Sequence, residues 1–184
     1  MFKNIDSTGK TGRHFAMIAC VDQQWGIGKD GRQLVTIPED MQMFRRATMG
    51  RIVVMGRKTF QTFGAMRPLE GRLNVILSQN PSFNPKDAYV VSDLEEALDI
   101  IDRLKKENDL GDEDVVIIGG GEIYRQFLPY CDQALITRVE YTYDADTFMV
   151  DLEKEGWKLE NESDEQTAFD LIYHYRLYVK PEEE

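Results

Sequence analysis

Cysteine is scarce in this chain: two among 184 residues, Cys20 and Cys131, far apart and each beside apolar neighbours. A small disulfide-stapled scaffold needs a denser framework, so both read as free thiols in a reducing, cytoplasmic setting. No apolar run approaches the ~20 residues that cross a bilayer. The opening MFKNIDSTGKTGRHF carries no apolar signal-peptide core. Excess positive charge is missing too: 22 basic residues face 33 acidic ones, for a net charge of −11. That excludes a general nucleic-acid binder, which would present a basic face. Acid is dense toward the end, in DLEKEGWKLENESDEQ and PEEE, where it reads as solvated surface and a frayed tail. Internal repeats and low-complexity blocks are lacking, and no metal site is expected.

What remains is ordinary for a folded protein, with 42% apolar residues and length enough for one substantial core. Residues 1–13 are polar and read as a flexible arm, and 14–184 as one domain. The TGKT within the arm lacks the leading glycine and preceding strand of a phosphate loop. From His14 the pattern becomes regular. HFAMIACV is a continuous apolar run, as in a strand buried on both faces. PEDMQMFRRATM reads helical, RIVVMG strand, and RKTFQTFG a short helix ending at Gly64. RLNVILS and AYVV read as strands, DLEEALDIIDRLKKEN as an amphipathic helix capped by Ser92 or Asp93. DVVIIGGG is again an apolar strand and leads into the helix EIYRQFLP; three strand-like stretches follow. The fold class expected is α/β: a mostly parallel twisted sheet with an antiparallel C-terminal edge, flanked by helices.

GIGKDG, Gly26 to Gly31, spells the G-x-G-x-x-G fingerprint of a dinucleotide turn. Such a turn needs a helix directly behind it to supply amides to the phosphates. KDGRQLVTIP instead offers a glycine, three β-branched residues and a proline, and no ribose-binding acid follows about 20 residues on. The fingerprint is false. A surface turn and a mobile lid beside a site are the readings left.

TIPED reads as a helix start, with Thr36 and Glu39 as a capping box and Pro38 in the first turn. Ile37, Met41, Phe44 and Thr48 then share one stripe, with Asp40 along its apolar edge while Glu39, Arg45 and Arg46 point outward. An acid here either complements the helix dipole or serves a ligand. In the second case, desolvation raises its pKa while the helix start lowers it, and the carboxylate suits an amidine-like heterocycle.

DVVIIGGGEIYRQF has what GIGKDG lacks: a buried strand, three glycines, then a helix whose amides can face a phosphate. A plain tight turn is the bland alternative. VVMGRKTF offers a second junction, where Gly56 precedes Arg57, Lys58 and Thr59 at another helix start. Cations are unfavourable at a helix N-terminus, which argues for an anion there rather than a merely solvated pair.

These pieces, in this order, resemble the dihydrofolate reductase family from about Met17 to Val179, through GIGKDG, IPEDMQMFRRAT, VVMGRKTF, RPLEGRLNVILS, VVIIGGGEIYRQFLP and ADTF. The resemblance implies an oxidoreductase of one-carbon metabolism and tetrahydrofolate biosynthesis, an antifolate target. It would be a cytoplasmic monomer acting on dihydrofolate with NADPH (the NADP couple) and without nucleic acid or membrane. Asp40 resembles the catalytic acid that bonds the pterin amino group and N3, with Thr137 supporting it. Ile18, Ala19, Ile27, Met41, Phe44, Phe63 and Ile118 resemble pocket lining. Arg72 resembles the partner of the folate glutamate carboxylate, with Arg45 beside it. Cys20, Ile27, Gly56, Arg57, Lys58, Thr59, Leu77, Ser78, Gln79 and the turn Gly119, Gly120, Gly121, Glu122, Ile123, Tyr124 resemble cofactor contacts. A cis peptide between Gly119 and Gly120 is implied as well, and Gly26 to Gly31 become part of a flexible loop over nicotinamide and pterin.

Three departures stand out. Leu34 and Val35 replace the family's usual Pro-Trp, Gln79 stands where many members offer a cation, and Ala65 and Met66 are extra. Two rival readings follow: the riboflavin-pathway pyrimidine reductase, of like fold and cofactor, and a non-catalytic pterin- or nucleotide-binding module.

Overall fold

Strands buried on both faces cannot alternate apolar with polar residues, so their sequences run apolar throughout and side chains sort by parity alone. A computed structural model describes residues 2–3 and 11–182 and shows this sorting. In β1 (Phe15–Val21), Phe15, Met17 and Val21 enter one core layer while Ile18 enters another. β4 (Ile52–Gly56) and β7 (Val115–Gly119) divide the same way: Ile52, Val54, Val115 and Ile117 face one side, Val53, Met55, Val116 and Ile118 the other. Each such side chain contributes ~1.5–3 kcal/mol by leaving water.

The remaining elements follow in chain order. β2 (Gly26–Lys29) and β3 (Arg32–Gln33) precede α1 (Pro38–Thr48), and β4 precedes α2 (Arg57–Phe60). β5 (Leu73–Leu77), β6 (Tyr89–Val91) and α3 (Leu94–Asn108) come before β7, with α4 (Gly121–Phe127) directly behind it. β8 (Cys131–Val139), β9 (Thr147–Phe148), β10 (Lys158–Glu162), β11 (Gln166–Ala168) and β12 (Leu171–Val179) complete the chain.

The main sheet runs β10-β12-β8-β1-β7-β4-β5-β6, with β11 on β12. From β8 to β6 every pairing is parallel, and the C-terminal strands β10, β11 and β12 add antiparallel. This is the α/β sheet the sequence implies. α3 and α4 bury Ala97, Ile101, Leu104, Ile123 and Phe127 on one face; α1 and α2 bury Met43, Ala47 and Phe60 on the other. β10, with every residue exposed and a KLENE sequence, closes one edge with charge.

Four local expectations need correction. The capping box at Thr36 does not form: Ile37 is the N-cap, extended, with no side-chain bond. Pro38 explains this, because it takes the first helical position and keeps the residue before it out of helical geometry. The inward stripe of α1 is rotated too, since Met41 is 44% exposed while Met43 and Ala47 are buried. α2 stops at Phe60, and Gly64 belongs to a separate turn, Gly64–Met66, where Ala65 and Met66 both hold positive φ. GIGKDG, finally, is a ribbon rather than a loop. Its Asp30-Gly31 pair, with φ of 51° and 76°, turns β2 into β3, the D-G hairpin signal. β9 pairs on the other side of β2 to make a small second sheet.

Part of the expected arm, residues 1 and 4–10, lies outside the described residues, as do the last two of PEEE. Lys3 is held: its backbone exchanges two 2.7 Å bonds with the Gln133 side-chain amide. Asp93 proves to be the α3 cap, accepting from Glu96 N–H at 2.8 Å, while Glu96 reaches back to Ser92.

Candidate active site

In open parallel sheets ligands bind beyond the carboxyl ends of the strands, where the following loops and helix starts converge. Asp40 lies in the first turn of α1 beside the ends of β1 and β8. Its carboxylate is half-buried, and the Thr137 hydroxyl donates to it at 2.6 Å. Burial holds the Asp40 pKa above the usual carboxylate range, and the donors from Thr137 and Cys20 offset part of that rise. Thr137 is itself 1% exposed, so the carboxylate leans on a fixed donor rather than on solvent.

Ile18 and Ile118 are buried in the layer beneath α1, and Phe44 and Phe63 pack half-buried against it. Ala19 and Ile27 join the opposite layer, because β1 alternates and Ile27 comes from the ribbon. Met41 stands on the exposed side of α1. Arg72 is half-buried and bonds Thr48 Oγ1 at 3.2 Å and the Glu70 carbonyl at 3.0 Å. Desolvation lowers its pKa, and so does the nearby Arg45 guanidinium. Two close cations of which one is partly desolvated make a fitting place for a ligand carboxylate.

The two glycine junctions lie side by side because β4 and β7 are neighbours, with Met55 opposite Gly119. A Cβ on Gly56 would meet Ile123 at 3.1 Å, and one on Gly120 would meet Thr59 Oγ1 at 3.5 Å. Neither α2 nor α4 has a side-chain cap, so their leading amides are left to other acceptors, with Arg57 and Lys58 adjacent. Gly119–Gly120 is a cis peptide. Tyr124 is buried and donates to the Ile18 carbonyl at 2.7 Å, tying α4 to β1. Glu122 is exposed and paired with Arg125 at 3.1 Å. Leu77 is buried at the end of β5, Ser78 is half-buried and Gln79 exposed.

The ribbon closes on this turn. A Cβ at Gly121 would lie 2.5 Å from the Phe148 carbonyl of β9. Asp22 anchors the ribbon's start, accepting from Gln24, Gly26 and Tyr143 amides at 2.8 to 3.0 Å. Sequence reasoning missed Asp22, and it missed β9. It also did not see that Cys20 and Tyr175 flank Thr137 across β1 and β12, which only strand register reveals. Val35, in place of the family's indole, packs half-buried against the cluster of Ile37, Val139, Ala168 and Tyr173.

Fold and site together define an α/β ligand-binding protein with one half-buried acid at the strand ends and two uncapped helix starts, of which α2 carries Arg57 and Lys58. The sequence profile described as dihydrofolate reductase matches residues 14–180. The dihydrofolate reductase of Bacillus subtilis is 30% identical over 169 residues, covering 90% of this chain and 94% of that protein. That of Haemophilus influenzae is 32% identical over 163 residues, covering 86% and 95%. The type 3 dihydrofolate reductase of Salmonella typhimurium is 34% identical, covering 78% of this chain and 82% of that one. The chain belongs to the dihydrofolate reductase family. No helix among the described residues is long and apolar enough to cross a membrane.

Proposed function

We propose that this chain reduces 7,8-dihydrofolate to 5,6,7,8-tetrahydrofolate with NADPH. The observation that carries the reading is the Asp40 carboxylate, half-buried and braced by Thr137, at the same strand ends as the triple-glycine turn. The residues present fit the cofactor: side-chain-free backbone at Gly120, two uncapped helix starts, and Arg57, Lys58 and Thr59 for its phosphates. Arg57 and Lys58 carry the preference for a phosphorylated ribose, since Gln79 offers no charge. NADPH, when bound, supplies the hydride.

Asp40 holds the pterin through its amino group and N3. The negative charge in a poorly solvated place favours protonation at N5 while hydride arrives at C6, with water as the direct proton donor. Arg72, with Arg45 beside it, takes the glutamate carboxylate and sets the pterin's long axis. Ile18, Phe44, Phe63 and Ile118 exclude water from the ring. The ribbon that carries Ile27 closes the site from above.

A carboxylate at Asp40 and a cation at Arg72 favour a folate over the ribosylated pyrimidine phosphate of the riboflavin-pathway reductase. The test is NADPH oxidation by the purified chain with dihydrofolate, with and without an antifolate. Dihydrofolate-dependent, antifolate-blocked consumption is expected. Binding of both ligands without consumption would favour a non-catalytic module, and turnover only with a ribosylated pyrimidine would favour the other reductase.

A further inference from the structure

Two elements well apart in sequence hold Arg72: α1 through Thr48, and β5 through Asn74. Arg72 Nε donates to the Glu70 carbonyl at 3.0 Å and its Nη1 to Thr48 Oγ1 at 3.2 Å. Thr48 ends α1 and is fully buried. Its own hydroxyl proton goes to the Phe44 carbonyl, one helical turn back, at 2.8 Å. That bond fixes the rotor, so the oxygen faces Arg72 as an acceptor. Asn74, buried in β5, holds the backbone that carries Arg72. Its Oδ1 accepts from the Leu69 amide at 2.9 Å, and its Nδ2 donates to the Leu69 and Arg72 carbonyls at 3.0 Å each. The Gly71 carbonyl accepts from the Gly50 amide at 2.8 Å, which ties the same turn to the segment directly behind α1.

We propose that Thr48 is a positioning residue for substrate: its hydroxyl, turned by the Phe44 carbonyl, sets the direction in which the Arg72 guanidinium meets the glutamate carboxylate, while Asn74 holds the turn beneath it. An arginine has much rotamer freedom to lose. Here that loss is taken in folding, so binding does not bear it. Nε and one N–H of Nη1 are spent inside the protein, and the donors left on Nη1 and Nη2 can still meet a carboxylate side by side. The choice of a neutral acceptor matters. Burial and the Arg45 charge both work against the Arg72 cation where it stands, and Glu70 works for it. A hydroxyl oxygen steadies that cation without neutralising it, whereas an acid in the place of Thr48 would pair with Arg72 and compete with the ligand.

This inference rests on the reading of Arg72 as the carboxylate's partner, and the test separates the two. Dissociation constants are measured by calorimetry on the full chain for two ligands. One is 7,8-dihydrofolate; the other is a 7,8-dihydropterin with a methyl group in place of the p-aminobenzoylglutamate tail. Thr48→Val, of the same shape but without the acceptor, should weaken dihydrofolate binding about 3–10-fold, the scale of one hydrogen bond. It should leave the short pterin within about twofold. Thr48→Ser keeps the hydroxyl and should bind both ligands within about twofold of the parent. In an Arg72→Ala background Thr48→Val should add little, because a residue that acts through another falls silent once that one is gone. Parent-like dihydrofolate binding by Thr48→Val would overturn the proposal. Equal weakening toward both ligands, a serine variant as weak as the valine one, or a full further loss in the Arg72→Ala background would each do the same. Should valine not fold, Thr48→Ala supplies the variant without a hydroxyl, with the same outcomes expected. Unchanged dihydrofolate binding in Arg72→Ala would instead sink the reading of Arg72, and this proposal with it; a large Arg72→Ala effect beside a silent Thr48→Val would sink the proposal alone.

Discussion

Two aspartates bracket strand β8, and burial raises the pKa of both, yet they do different things. Asp40 reaches the carboxyl end of the strand from α1 and meets a neutral donor, the Thr137 hydroxyl. Asp132 begins the strand and meets His14 Nδ1 at 2.8 Å, while its Oδ1 has no partner among the described residues. Around Asp132 the charges are spent on one another. Arg13 grips Asp102 with two bonds of 2.8 and 2.9 Å, and Lys105 pairs with Asp112, which also accepts the His14 amide at 2.8 Å. On the α1 side less is paired: among the described residues no ion pair joins Arg72 or Arg45 to an acid, although Glu70 lies near Arg72, and the starts of α2 and α4 have no side-chain cap. Desolvation alone therefore does not mark function. What distinguishes the candidate active end is valence left over for a ligand.

The sharpest way to break this contrast is to neutralise each acid in turn. Asp40→Asn should lower dihydrofolate turnover by about 10²–10⁴-fold, the range for losing acid–base assistance. Asp132→Asn should leave turnover within about twofold of the parent, because it touches only the structural end. Equal losses in steady-state assays would erase the distinction. The next largest effect separates the arginines. Arg72→Ala should raise the KM for dihydrofolate roughly 10–100-fold with kcat little changed, as for a lost charge-assisted bond. Arg13→Ala should leave both constants alone and cost about 1 kcal/mol or less, since its partner Asp102 is half-exposed.

His14→Ala should destabilise the fold by about 1–3 kcal/mol in urea titrations, because it strands a buried carboxylate, without slowing the reaction. The smallest effect is a sign. Asp40's folded pKa is raised, so the folded state holds that proton more tightly than the unfolded chain does. Its share of stability is intact below the unfolded pKa and is lost as pH rises toward the folded one. Asp40→Asn should remove that decline and unfold at higher denaturant than the parent at neutral pH. A lower midpoint would mean that the carboxylate's bonds outweigh its burial.

Much of this is legible in the amino-acid sequence. Apolar runs gave the buried strands, and Asp93 and Pro38 marked helix starts by mechanisms that act locally. The false dinucleotide fingerprint could be rejected because a missing helix is also a local fact. What was not legible depended on partners distant in sequence. Thr36 looked like a cap because the residue-level spacing is right, but Pro38 shifted the helix start by one. GIGKDG became a ribbon only because β9, about 120 residues later, lies alongside it. Its D-G pair was the one available signal for a hairpin. Cys20 gave no hint of its place beside Thr137, since nothing in a sequence states that residues 20, 137 and 175 share a register.

The most direct measurement is the single-turnover rate of hydride transfer from NADPH to dihydrofolate across pH, for the parent and Asp40→Asn. The parent rate should fall as pH rises, because N5 protonation becomes harder. The variant should be slower by the factor given above at neutral pH and should regain ground as the pH drops. A variant that matches the parent at every pH would contradict the role assigned to the buried acid.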